Sequence, residues 1–410
     1  MFPPSASSFS DWRGRLDRAR IAPVISVAGS RGKTCVLRAV ESIFLAGGFR
    51  VALWTNRGVE IEGDGQRGEL GPWSRALTRL HAGGLNIALR EIDWATIQAT
   101  GAPGSDYPIV AVLNLCGNND ACLATPETLM AQKAFAKIGS SVVSSGRLIL
   151  NASDLTLADA SIPNGAGRFL VGFSADAPAM RRQLEGQGDA AWVADSMIVT
   201  REAGETRRVV DLSRLNWVRD IPFSVQNALV ATAIARSCGI SISTIAQGLS
   251  DHVPRPELMP GSFNVFDMGD STIVIDRPMP SWFLRSSLRA AVNFGVGRQI
   301  RVVGPMDNVH KDDLAEVGRL LARQSGILLV HGIWEADRLA RFRQGVVSNE
   351  VPSPIIQALD ERQAILQGLG MLRGGDVMLV LAENASAAVR LFASRVKRAA
   401  PVAPLSAGAA

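Results

Sequence analysis

Four cysteines and four histidines are few for 410 residues, and neither type gathers at metal-binding spacing. Cys35, Cys116, Cys122 and Cys238 contain no CxxC pair, so no structural zinc site is expected. Reduced thiols in a cytoplasmic protein are the plain reading. The chain lacks any run of about 18 uncharged apolar residues, so no transmembrane helix is expected. Its N-terminal stretch has no apolar core that would read as a signal peptide. Charge of one sign is scarce too. Lys+Arg number 43 against 38 Asp+Glu, a formal net charge of +5, and the longest basic run is Arg395-Val396-Lys397-Arg398. That excess suits attraction of a small anion such as a nucleotide, and neither nucleic acid nor membrane is expected as a partner. No internal repeat occurs, and the 39 glycines and 20 prolines are dispersed.

What is present is a globular composition, 47% hydrophobic and 20% charged, at a length that suggests two or three domains. The apolar run Ile21 to Ala28 reads as a strand. Apolar residues then recur at helical spacing from Cys35 to Ala46, closed by Gly47-Gly48, before a second strand from Arg50 to Trp54. A strand–loop–helix–strand unit implies a parallel sheet. Further strands are expected at Asn86 to Leu89, Ile109 to Leu113 and Arg147 to Leu150, a loop or hairpin from Glu60 to Gly71, and helices from Pro222 and from Ser243. The proline-rich stretch Pro254 to Gly261 reads as a linker. Beyond it, a strand pair (Phe263 to Asp267, Thr272 to Ile275) precedes strands at Ile300, Ile327 and Val377, alternating with helices. The fold class expected is therefore α/β, with a central P-loop-type parallel-sheet domain and a smaller Rossmann-like α/β domain after it. The boundaries expected are an extension over 1–20, the central domain over 21–255, the second domain over 256–396, and a disordered tail over 397–410.

Chemistry concentrates at Gly29-Ser30-Arg31-Gly32-Lys33-Thr34, between the first strand and the first helix. Its glycines let backbone N–H groups approach phosphate oxygens. Lys33 is placed to neutralise β- and γ-phosphates, the Thr34 hydroxyl can ligate Mg²⁺, and the helix N-terminus adds its dipole. Val27 stands where the longer P-loop has its first glycine, so this is the shorter GxxGKT form.

GSRGKT resembles the GT(N/R)GK(T/S) loop of the Mur ligase family, which includes the peptidoglycan amino-acid ligases, folylpolyglutamate synthetase, poly-γ-glutamate synthetase and the ligase half of cyanophycin synthetase. The likeness runs furthest toward that last member. Gly58-Val59-Glu60-Ile61-Glu62-Gly63 is similar to its "GVYIDGE", Asn86 to Glu91 to "DVAVLE", and Gly146 to Asp154 to "GYAVLNADD". Ser224 to Ala233 resembles "NVxNALAA", and Pro260 to Asp276 resembles the start of its C-terminal domain. The resemblance spans roughly residues 20–395. It implies an ATP- and Mg²⁺-dependent, ADP-forming ligase that joins a carboxylate to an amine through an acyl phosphate, on a small amino-acid or peptide-like substrate. It also implies roles for particular residues. Glu91 aligns with a Mg²⁺-ligating acid, a solvated strand-end carboxylate being the less favoured alternative. Lys133 and Lys137, one turn apart, both fall near the family's often carbamylated lysine, and spacing does not choose between them. Asn227 aligns with the asparagine near the adenine, a buried structural asparagine being the alternative. Asp276 aligns with an acid that holds the ribose or closes the cleft.

The departures carry information as well. The family's "TNxxxDH" reads here Asn114-Leu115-Cys116-Gly117-Asn118-Asn119-Asp120, so Asn119 replaces a metal-binding histidine, with its amide oxygen as the candidate ligand. "DYAHNP" reads Asp276-Arg277-Pro278-Met279-Pro280-Ser281, and His331 to Arg338 matches the family's substrate segment poorly. Arg277 and Arg285 are candidates for an anionic substrate, or surface charge. The nucleotide site is better kept than the acceptor site. A rival expectation is therefore a catalytically degenerate nucleotide-binding protein that scaffolds or regulates a partner ligase. A P-loop kinase would share the loop but not the C-terminal match. The ATP-grasp half of cyanophycin synthetase has no counterpart in these residues, so the expected enzyme acts alone or beside a separately encoded ATP-grasp partner. A homo-oligomer is left open.

Overall fold

The computed structural model describes residues 24–67, 71–100, 107–115, 126–162, 165–218 and 221–393. The expected extension and tail, Cys116, Cys122 and Asn118 to Asp120 lie outside them. Contacts divide the chain into two compact units between Pro254 and Arg255.

The first unit is built on one sheet whose strands are β1 (Val24–Ala28), β2 (Val51–Thr55), β3 (Gly58–Ile61), β4 (Asp64–Gln66), β5 (Ile87–Ile92), β6 (Tyr107–Val112), β7 (Val142–Asn151), β8 (Gly167–Val171), β9 (Asp189–Ala194), β10 (Met197–Glu202) and β11 (Glu205–Asp211). Their spatial order is β11-β10-β9-β8-β7-β6-β1-β5-β2-β3-β4. β1 lies in the middle, parallel to β5 on one side and β6 on the other, and all five of its residues are buried. A run buried on both faces is what an uninterrupted apolar strand needs. The sheet is parallel only through its centre. The pairs β2/β3, β3/β4, β9/β10 and β10/β11 are antiparallel, β3 and β4 lying largely within the segment read as a loop or hairpin. Helix α1 (Lys33–Ala46) buries Val36, Leu37, Val40, Ile43 and Phe44 and stops at Gly47-Gly48, where Gly48 takes a left-handed φ of 74°. Two later helices, α2 (Pro222–Ser237) and α3 (Ile242–Asp251), pack on it. Gly248 of α3 sits so near α1 that a Cβ there would lie 2.4 Å from Ile43 Cα.

The second unit has six strands: β12 (Asn264–Asp267), β13 (Thr272–Asp276), β14 (Gln299–Val303), β15 (Gly326–His331), β16 (Ile355–Ala358) and β17 (Val377–Leu381), in the order β12-β13-β17-β14-β15-β16. β12 and β13 form an antiparallel hairpin, and every other pairing is parallel. Ile273, Ile275, Ile300, Val302, Met378 and Val380 fill its core. No helix among the described residues is long and apolar enough to cross a membrane.

Candidate active site

The carboxyl ends of parallel strands are where an α/β sheet leaves a crevice, and β1 ends directly in the glycine loop. Gly29 and Gly32 adopt φ of 149° and 90°, backbone that L side chains rarely take. Space is tight for a side chain as well. A Cβ on Gly29 would lie 3.0 Å from Leu113 Cβ, and one on Gly32 would lie 3.0 Å from Asn227 Oδ1. The loop turns into α1 through Gly32, whose carbonyl accepts the first intrahelical bond, from Val36 N–H at 3.0 Å. The amides ahead of that bond point out of the helix end, where an anion is favoured.

Lys33 and Thr34, the first two residues of α1, meet Glu91 of the neighbouring strand β5. Thr34 Oγ1 donates to Glu91 Oε2 at 2.8 Å, and Lys33 Nζ lies 3.6 Å from Glu91 Oε1. Lys33 Nζ also donates to Gly29 O at 2.9 Å, folding its chain back over the loop. Glu91 and Lys33 are 10% and 13% exposed, so the pair is sheltered but reachable. Register explains the meeting: Glu91 pairs with Val27, one residue before the end of β1. Asp93, two residues on, is held below its usual carboxylate range. Burial raises it, but the Thr96 hydroxyl and amide, with Lys33, more than offset that. Trp94 Nε1 donates to Ser30 Oγ at 3.1 Å and so closes one side of the loop.

The donor set fits a nucleotide phosphate with a hard cation. It offers backbone amides, an ammonium, one hydroxyl and one carboxylate, and Mg²⁺ sites built with phosphates use only one or two carboxylates. Among the described residues no group of three or more His, Cys, Asp or Glu side chains gathers as a self-contained metal site.

The other candidates fall in different places. Asn227, on α2, is 8% exposed with its Oδ1 turned to Gly32, so it lies against the loop. Lys133 and Lys137 are both exposed on the helix Pro126–Gly139. Lys137 Nζ donates to Gln98 O at 3.3 Å, and among the described residues neither lysine touches the loop or Glu91. Asn119 lies outside the described residues. In the second unit, Asp276 ends β13 and is fully buried. Its Oδ2 accepts from Ser287 Oγ and its Oδ1 from Arg277 N–H, each at 2.9 Å. Arg277 is exposed, donates to Pro260 O at 3.3 Å, and lines a cavity of about 530 Å³ with Asp307, Asn308, Glu383 and Asn384. Burial and the nearby Glu361 and Asp307 push the Glu383 carboxyl up. Arg285 is instead paired with Glu316, which also binds Arg319.

In the sequence Asn114 stands out only as part of an altered motif. In the structure Asn114 Oδ1 accepts from the N–H groups of Ser30 and Arg31, at 2.9 and 3.0 Å. No local pattern announces a bond between residues more than eighty positions apart.

No family model matches the chain. Cyanophycin synthetase of Trichormus variabilis is 25% identical over 389 residues, 91% of this chain and 42% of that protein. The chain thus spans less than half the length of this relative. Among solved structures, E. coli FolC in complex with ADP superimposes with a TM-score of 0.63 at 15% identity, covering 96% of this chain and 98% of that one. The MurF ligase of Thermotoga maritima in complex with ADP gives 0.61 at 15% identity, covering 94% and 82%. The chain has the Mur-ligase fold, and the cyanophycin synthetases are its relatives in sequence.

Proposed function

We propose that this chain is an ATP-dependent, ADP-forming ligase that joins a carboxylate to an amine on a small amino-acid or peptide-like substrate. The observation that carries the reading is the convergence of Lys33, Thr34 and Glu91 at the mouth of β1, beside two glycines in backbone that L side chains rarely adopt. The amides of Gly32, Lys33 and Thr34 and the Lys33 ammonium hold the phosphates. The Thr34 hydroxyl and the Glu91 carboxylate would hold Mg²⁺, which would supply charge neutralisation. In the reaction the γ-phosphoryl group passes to the substrate carboxylate and ADP leaves. The amine then attacks the acyl phosphate, an amide bond forms, and phosphate departs with a proton lost from the amine. Fixed positive groups at the loop stabilise charge spread over the transferring phosphoryl oxygens. Asn227, which lies against the loop beside Gly32, serves the adenine side of the nucleotide. Lys133 or Lys137 fills the role of the family's modified lysine. Arg277 serves the anionic end of a substrate, and Asp276 holds Arg277 through its N–H. The domain limits proposed are 21–255 and 256–396. The compartment proposed is the cytoplasm, where ATP and Mg²⁺ are abundant, and the enzyme works alone or beside a separately encoded ATP-grasp partner.

The loss of the histidine and asparagine after Asp276, with its carboxylate bound inside its own unit, motivates the second reading, a nucleotide-binding scaffold for another ligase. Phosphate release measured with a panel of amino acids and short acidic peptides, for the parent and for Lys33→Ala, decides between them. The ligase requires ADP formation that depends on both a carboxylate and an amine and falls by about 10³-fold in Lys33→Ala. ATP binding without substrate-stimulated turnover across the panel would favour the scaffold.

A further inference from the structure

Asn114 stands one residue past Leu113, whose N–H donates to Ala28 O at 3.0 Å and carries the β1/β6 ladder to the edge of the loop. From there its carboxamide reaches the loop with both ends. Oδ1 accepts the Ser30 and Arg31 N–H groups, and Nδ2 donates to Arg31 O at 3.1 Å. The Ser30 N–H also lies 3.3 Å from the Asn114 main-chain oxygen. A backbone amide already bonded to a fixed oxygen is not offered to a phosphate. The loop therefore divides into a front half, Ser30-Arg31, tied to Asn114, and a rear half, Gly32 to Thr34, where α1 begins.

We infer that Asn114 is a positioning residue that folds the short loop and leaves its anion-binding face to Gly32, Lys33 and Thr34. The inference rests on the nucleotide-binding part of the proposed function. A carboxamide suits the task because it accepts two N–H groups and donates one back while remaining neutral beside phosphates. A carboxylate could accept both amides but could not return the bond to Arg31 O, and its charge would oppose the phosphates. Asn114 is itself held from the neighbouring strand end. Asn151 Nδ2 donates to Leu113 O at 2.9 Å, and the buried Asp154 accepts from Leu115 N–H at 2.7 Å. These two residues come from the Gly146 to Asp154 stretch, so that stretch acts on the loop through Asn114. The bracing thus runs from β7 to the end of β6 and on to the loop, linking residues remote in sequence.

The test compares binding of MgADP and of adenosine, which has no phosphate, by calorimetry and competition, together with the thermal unfolding of each ligand-free variant. Asn114→Ala is expected to lose MgADP affinity by roughly tenfold or more, the scale of two amide bonds left unmade. Asn114→Asp is expected to keep the parent's melting behaviour yet lose at least as much MgADP affinity. Adenosine affinity is expected to stay within about twofold in both, a split that a general loss of structure would not give. The idea is overturned if both variants bind MgADP like the parent, or if adenosine affinity falls in step with MgADP affinity. A parent protein that binds adenosine but not MgADP overturns the proposed function, and this inference falls with it.

Discussion

Two strand ends of this molecule carry acids at the carboxyl edge of a parallel sheet, and they treat them in opposite ways. At the end of β5, Glu91 faces a hydroxyl and an ammonium contributed by another element and stays slightly open to solvent. At the end of β13, Asp276 is sealed, its oxygens taken by Ser287 and by the next backbone amide. The first carboxylate stays partly reachable beside a cation. The second is engaged by groups of its own chain turn and the following helix. A carboxylate at a strand end is therefore not evidence of chemistry until its partners are known.

The contrast can be broken from either side. The largest effect is expected from Glu91→Gln, which keeps an oxygen for Thr34 Oγ1 and removes the charge facing Lys33. Turnover should fall roughly hundredfold with a raised magnesium requirement, read from phosphate release across a MgCl₂ titration. Parent-like turnover and magnesium dependence would remove the distinction between the two sites. Next comes Asp276→Ala, which strips the acceptor from the Ser287 hydroxyl and the Arg277 N–H. Denaturant unfolding should show a loss of about 2 kcal/mol, with ATP affinity nearly unchanged. Intact stability with collapsed ATP affinity would instead give Asp276 the ribose-holding role that the family resemblance implies.

The smallest effect concerns His252, 8% exposed, bonded through Nδ1 to Ser42 Oγ at 2.9 Å and set edge-on to Trp217. Burial, aided by the nearby Arg38 guanidinium, pushes its pKa from 6.5 down to about 4. The unfolded chain thus takes up a proton between these values that the folded chain refuses. The contribution of His252 is complete above about 6.5 and drains away as pH falls toward 4, by at most about 1.4 kcal/mol per pH unit. In the second unit His331, also lowered to about 4 by burial, has the same sign, and the raised carboxyls of Glu361 and Glu383 oppose it. The measurement is therefore the difference between the parent and His252→Gln, unfolded at pH 7 and at pH 5. A difference that does not change between the two pH values would show that His252 stays uncoupled from folding.

The strand, loop and helix around Lys33 could be read from the chain because each local preference there agrees. β1 is apolar at nearly every position, glycines fill the two left-handed positions, and α1 keeps its apolar face in register. The region from β8 to β11 went unread. There β11 carries the exposed charges Glu205, Arg207 and Arg208, and the turns use positive φ at Asp195, Ser196 and Ala203, residues that do not announce a hairpin as Asn-Gly would. At the site, Lys33 and Thr34 were legible because they share one motif. Glu91 was legible through its likeness to a known strand. The work of Asn114, Asn151 and Asp154 was not, because it arises from how separate strand ends meet in space.

Gly248 gives the loop a mechanical property. With the backbone of α3 pressed against Ile43, α1 is expected to resist tilting or sliding, which would make its first turn a stiff seat. A rigid seat spares an incoming triphosphate the entropy cost of ordering the chain around it. Recognition at this end of the molecule is therefore expected to resemble docking onto a finished surface.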